Sequence, residues 1–157
     1  MDAISGMNGV DMKLAIGSDH AGFRLKGPVV EALRAWGHEV EDLGTLTPDP
    51  VDFPVIAMAV CGEITAGRAE RGILVCGSGI GACMAANKIA GIRAALCHDV
   101  YSAHQSVEHD DANVLCLGAQ IVGEALALDL LRTYLAATFS DEEHFRRRVA
   151  MLAEMDR

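Results

Sequence analysis

Five short strand-like runs, each followed by a segment of helical spacing, constrain this chain more than any other feature. Residues 13–17, 39–43, 72–76, 93–97 and 113–117 read as strands. Between the first two, 23–36 sets Phe23, Leu25, Val29, Val30, Leu33 and Trp36 at helical intervals before Gly37 stops it. Residues 55–66, 82–89 and 100–107 fill the later gaps as helices, and 123–137 and 141–154 follow the last strand. A helix between each pair of strands predicts an α/β fold: a five-stranded parallel sheet covered on both sides. Gly72–Cys76 is almost wholly apolar, as a strand buried on both faces must be. Glu39–Leu43 is more polar and belongs near a sheet edge. Pro48, Pro50 and Pro54 make 45–54 a loop.

At 157 residues and 51% hydrophobic, the chain suits one domain with one sizeable core. That domain is expected over residues 12–157. Residues 1–11 are expected to be a disordered extension, since Met12 directly precedes the first strand. Thirteen Lys and Arg against 22 Asp and Glu give a net charge of −9, which argues against nucleic acid as a general partner. The five cysteines are odd in number and mostly lie in apolar runs, without C-x-x-C spacing. They fit reduced thiols in a cytoplasmic protein, not a disulfide framework or a zinc site. There is no signal-peptide pattern, and no run is long and apolar enough to span a membrane.

Parallel sheets put their sites at the carboxyl ends of the strands. Three loops meet that condition: Ser18–Gly22, the loop after Cys76, and His98–Asp99. The second is the most informative. Cys76-Gly77-Ser78-Gly79-Ile80-Gly81 is a glycine-rich loop between a strand and a helix start, the geometry that offers bare N–H groups to an anion. Cys76 at its mouth is expected to be favoured as a thiolate by the helix dipole. The spacing is G-x-G-x-G, so neither nucleotide fingerprint applies, and glycines that merely serve a turn are the competing explanation. Asp19 and His20 end the first strand; they can bind hydroxyls, carry protons or contact phosphate, or else cap a helix and sit in solvent. His109 lies among Glu108, Asp110 and Asp111, carboxylates that favour an imidazolium, although an exposed loop histidine looks the same in sequence. This segment precedes the fifth strand and so starts near the opposite edge of the sheet. Arg146, Arg147 and Arg148 can clamp a phosphate or simply face water. His38, His98, His104 and His144 have no comparable company and are expected to be ordinary solvated histidines without a role in a site.

Taken together, Gly17–Phe23, Cys76–Gly81, Ala85–Lys88, Gly91–Ala94, Tyr101–Ala103 and Glu108–Leu115 resemble the type B ribose-5-phosphate isomerases, a family that includes galactose-6-phosphate and tetrulose-phosphate isomerases. The motifs run in order from Lys13 to the C-terminus. The resemblance implies a three-layer αβα sandwich with a Rossmann-like sheet, forming a homodimer or a dimer of dimers whose active sites are shared between subunits. It implies aldose–ketose isomerisation of a small phosphorylated sugar through a cis-enediolate, without metal or organic cofactor. By position Cys76 is then the base, Ser78 a proton relay and His109 the acid that opens the sugar ring. The amides from Gly77 through Gly79 and Ile80 to Gly81 would hold the enediolate oxygens. Asp19, His20, Asp110 and Arg148 would contact hydroxyls or phosphate.

Some positions depart from the family pattern. Asp110 stands where relatives usually carry Asn, Gln120 where they carry Arg, Phe53 where Tyr is frequent, and Asp141–His144 where a Gly-Gly-Arg-His run is usual. At about 1.5–3 kcal/mol per charged hydrogen bond, lost arginines weaken phosphate binding unless something compensates. These departures bear on the choice of sugar more than on the isomerase chemistry, and by resemblance ribose 5-phosphate stays the leading substrate. The alternatives are a tetrulose phosphate, a hexose 6-phosphate, or a sugar-phosphate binding role without catalysis.

Overall fold

The computed structural model describes residues 10–156; the expected extension at residues 1–11 lies almost wholly outside them. Eleven elements alternate along the chain: β1 (Lys13–Ser18), α1 (Phe23–Ala35), β2 (Glu39–Asp42), α2 (Phe53–Thr65), β3 (Arg71–Cys76), α3 (Ile80–Ala86), β4 (Ala94–Leu96), α4 (Val100–Glu108), β5 (Val114–Gly118), α5 (Glu124–Ala136) and α6 (Glu143–Glu154). The strands form one parallel sheet in the order β2-β1-β3-β5-β4. The expected α/β sandwich is the fold observed.

Side-chain alternation divides the core into two layers. Leu14, Ile16, Ile73, Val75, Leu115 and Leu117 point to one face and pack with α1, α4 and α5. Ala15, Leu74, Cys76, Val114 and Cys116 point to the other and pack with α2 and α3. Connection handedness explains the division. The chain moves one way across the sheet through α1 and α4, and the other way through α2 and α3, and right-handed crossovers must then lie on opposite faces. The central strands β1, β3 and β5 are buried almost end to end, whereas β2 keeps the alternation of an edge strand.

Helix α2 starts at Phe53, two residues before its expected start, with Pro54 in its first turn. Proline is at home there, since it lacks an N–H that would have no partner anyway. Helix α3 begins at Ile80, not Ala82, and stops at Ala86. Arg71 secures the far end of α5: its guanidinium donates to the carbonyls of Tyr134 and Ala137 and lies 5.0 Å over the Tyr134 ring. Helix α6 buries none of its residues.

Candidate active site

Chain direction reverses between β1 and β3: β1 feeds back to β2 on one side, while β3 feeds across to β4 on the other. Such a reversal splays the loops apart and opens a crevice at the carboxyl ends of the two strands. Asp19 follows β1 into that crevice and Cys76 ends β3 beside it. Both are nearly closed off, at 7% and 8% exposure. The Cys76 thiol donates to Asp19 Oδ2 at 3.1 Å. Asp19 Oδ1 accepts from the Gly22 amide at 3.0 Å, which fixes the carboxylate from the other side. Asp19 thus bonds the amide of Gly22, the residue that precedes α1, and faces the thiol with its other oxygen.

The two loops touch closely. A Cβ on Gly22 would lie 2.2 Å from the Val75 carbonyl oxygen, so only glycine lets the β1 loop approach β3 this far. The glycine loop is fastened from behind, where Ala119 and Gln120 amides donate to the carbonyls of Cys76 and Gly77 at 2.8 and 3.0 Å. Gly79 adopts φ +80 to enter α3. The Ser78 hydroxyl accepts from the Ile80 amide at 3.3 Å. The N–H groups that open α3 have no intrahelical acceptor. Across the loop, Phe53 lays its ring against Gly81, where a Cβ would come within 2.8 Å of ring carbon. His20 is exposed, and its Nδ1 accepts from the Val51 amide at 3.2 Å.

One expectation is corrected here. The loop amides favour the Cys76 thiolate as expected, but the site as a whole does not. Burial raises the thiol pKa first, and the Asp19 carboxylate raises it further through hydrogen bond and charge; the Gly77 and Gly79 amides act the other way and do not prevail. The helix-start argument counted only the amides. Asp19 is 57 residues away in sequence, and its contact with Cys76 became visible only in the fold.

His109 and Asp110 are at the other end of the molecule. Asn113 O accepts from the Gly72 amide at the start of β3, and Val114 pairs with Gly72 while Gly118 pairs with Cys76. Four strand residues at about 3.3 Å each separate these levels by about 13 Å. Helix α4 gives a second ruler: its nine residues run from Asp99 back to His109, about 14 Å at 1.5 Å per residue. Helix α6 lies at this same end. Phe145 stacks on the His109 ring with centroids 4.1 Å apart, and Asp156 accepts from the Gly91 amide at 2.7 Å. Arg148 is one turn beyond Phe145 on α6. The fold thus gathers Cys76, Ser78, Asp19 and His20 at one edge, and His109, Asp110 and Arg148 at the opposite edge.

Three other histidines make hydrogen bonds that do not involve the crevice residues. His98 Nε2 accepts from the Gly118 amide, His38 Nδ1 from the Met12 amide, and His104 bonds Glu108. Gln120 was noted in the sequence only as a departure; its carboxamide lies beside Gly77, 3.3 Å from where a Cβ would be. Among the described residues no three His, Cys, Asp or Glu side chains are grouped to hold a metal ion, and no helix is long and apolar enough to cross a membrane. All five cysteines are free thiols.

Residues 14–152 match the ribose/galactose isomerase family. The ribose-5-phosphate isomerase B of Escherichia coli is 42% identical over 141 residues, covering 90% of this chain and 95% of that one. A D-erythrulose-4-phosphate isomerase of Pectobacterium atrosepticum is 40% identical over 129 residues, 82% of this chain and 85% of that one. Among solved structures, the Clostridium thermocellum ribose-5-phosphate isomerase B superposes with a TM-score of 0.89 at 44% identity, covering 92% of this chain and 97% of the other.

Proposed function

The chain belongs to the ribose/galactose isomerase family, and on that footing we propose that it interconverts ribose 5-phosphate and ribulose 5-phosphate through a cis-enediolate, with Cys76 as the base. The observation that carries this reading is the thiol–carboxylate contact of 3.1 Å in the β1/β3 crevice, at the mouth of a glycine loop. Asp19 takes the thiol proton as the sugar binds. The thiolate then removes the proton from carbon two of the open aldose. Charge gathers on the oxygen of carbon one, where the loop amides from Gly77 to Gly81 stabilise it and Ser78 delivers a proton. Cys76 returns its proton to carbon one, the oxygen of carbon two loses its own through Ser78, and Asp19 gives the borrowed proton back to sulfur. The product is the ketose, with every proton accounted for.

A pentose 5-phosphate spends most of its time as a ring, and His109 is the proposed acid that opens it. With His109 and Asp110 about 13 Å along the sheet from Cys76, both groups reach one substrate only if a second copy supplies the far set. Homodimers with shared sites, or pairs of them, satisfy this. The surface beside the site supports such docking: Ile80, Met84 and Tyr101 are 52%, 66% and 70% exposed, and the first two line an open apolar hollow with Cys83 and Leu96. Asp19, His20 and Asp110 are proposed to bind hydroxyls, and Arg148 the phosphate. Five free thiols suit work in the cytoplasm.

A second reading keeps the chemistry and changes the sugar. Gln120 is neutral beside Gly77, and a four-carbon ketose phosphate cannot close the same ring, so it needs no ring-opening acid. The test is proton NMR in D₂O with ribose 5-phosphate, ribulose 5-phosphate, tetrulose phosphates and a hexose 6-phosphate. Deuterium entry at carbon one or two with aldose–ketose interconversion is expected, fastest with the pentose pair. Cys76→Ala should abolish it while ligand binding persists. No exchange with any member would overturn the assignment.

A further inference from the structure

We propose that the ion pair of buried Lys26 with half-buried Asp42 is a positioning device, which pins the Gly44–Thr45 turn to the end of β1 and so holds Asp19 against the Cys76 thiol. Its catalytic consequence rests on the reading of Cys76 as base; its geometric content does not.

Lys26 lies on α1 at 3% exposure, the most deeply buried charged side chain among the described residues. A buried ammonium persists only when its donors are used. Its Nζ donates to Asp42 Oδ1 at 2.7 Å and to the Thr45 carbonyl. The same Asp42 oxygen accepts from the Gly44 amide at 3.0 Å. One bond from each member of the ion pair therefore reaches two successive residues, Gly44 and Thr45. Those residues grip β1 in turn: Ser18 N donates to Gly44 O, and Thr45 N to Ser18 O, each at 2.7 Å. Ser18 immediately precedes Asp19. The chain leaving Thr45 then returns to the site, with the Val51 amide on His20 and Phe53 against Gly81.

A pair kept only for stability has no need of this arrangement, because apolar replacements of buried ion pairs are often as stable or more so. Here the pair's remaining bonds go to backbone next to the reacting thiol. Around Cys76 the bonded ionisable side chain is Asp19. The layer formed with α2 and α3 adds apolar groups and the neutral thiols Cys61 and Cys116. Release of Asp19 must therefore register in the titration of Cys76.

The test is the full-length K26M/D42L variant, which removes both charges together. Iodoacetamide labelling of Cys76 is followed against pH by peptide mass spectrometry, which separates it from the half-buried Cys83. The labelling midpoint is expected to move to lower pH by at least roughly half a unit, a threefold change in thiolate fraction. On whichever sugar phosphate the unaltered protein turns over, kcat should fall about tenfold or more while KM changes far less, as misplacement of a reacting group predicts. A folded variant, checked by thermal melt, with unchanged labelling profile and unchanged kcat overturns the proposal. If K26M/D42L does not fold, D42N gives the same readout, since it keeps an oxygen for Gly44 but loses the ion pair. If the unaltered protein isomerises none of the sugars, the functional reading fails, and the labelling profile still decides the positioning role.

Discussion

Replacing Gly22 by alanine should separate the two halves of the site. The added Cβ would sit 2.2 Å from Val75 O, 2.5 Å from Val75 C and 2.9 Å from Cys76 N. These are backbone atoms of a central strand, so no side chain can swing away. Ordinary contact begins near 3.4 Å, so the loop must retreat by about 1.2 Å. Gly22 also donates to Asp19, so the carboxylate moves with it, and a thiol–carboxylate contact now at 3.1 Å opens beyond hydrogen-bonding range. A displacement of about 1 Å at reacting groups costs on the order of a hundredfold in rate. Overpacking of this kind destabilises by about 1–3 kcal/mol. Gly27, on the same helix, is the control. Beyond its chain neighbours nothing lies within 4 Å of its Cβ position, so Gly27→Ala should leave turnover intact, while Pro28, next in the helix, offsets the gain in helix propensity. Steady-state kinetics and thermal melts on both variants suffice. Full activity in a folded Gly22→Ala protein would refute the claim that this close approach sets the Asp19–Cys76 geometry.

Three further outcomes are expected. Mixing inactive Cys76→Ala and His109→Ala proteins under exchange conditions should restore activity to about a quarter of the unaltered level, because half the dimers become hybrids with one intact site each; no recovery would place His109 outside a shared site. Because burial and Asp19 both raise the Cys76 thiol pKa and Asp19 receives that proton when the sugar binds, the pair keeps one proton through the neutral range and kcat/KM should stay level from about pH 7 to 9; a tenfold rise per pH unit across that range would show that the thiol must first lose its proton to solvent, against Asp19 as its acceptor. Burial pushes Cys61 and Cys97 from 9.0 to about 11. Folding favours their neutral forms, so that stability is complete below about pH 9 and is lost as pH rises towards 11. Denaturant melts at pH 8 and 10.5 should reveal this loss, and a Cys61→Ala/Cys97→Ala variant should flatten it.

The strands were legible because each is a short apolar or alternating run between helical segments, and the period of two survives burial in β1, β3 and β5. Cys76 and Asp19 were legible as strand-end residues for the same reason. Their contact was not, since nothing in local sequence says which two strands flank the reversal in direction. The sign of the Cys76 shift went wrong at that point: the dipole argument is local, while burial and Asp19 are tertiary. Lys26 and Asp42 were silent too, as a lysine in an amphipathic helix and an acid on an edge strand both look like solvated charges. The early start of α2 went unseen because Pro54 was read as a loop residue when it serves the first helical turn.

Helix α6 carries Arg148, yet it buries none of its residues and meets the body through Phe145 on His109 and Asp156 on Gly91. The proposed phosphate contact is thus mounted on a part that the folding core does not depend on. Substitutions along this helix escape the packing rules that freeze β1, β3 and the glycine loop. On the proposed roles, substitutions on this helix away from Phe145 could change which sugar is accepted while Cys76 and Asp19 keep their places.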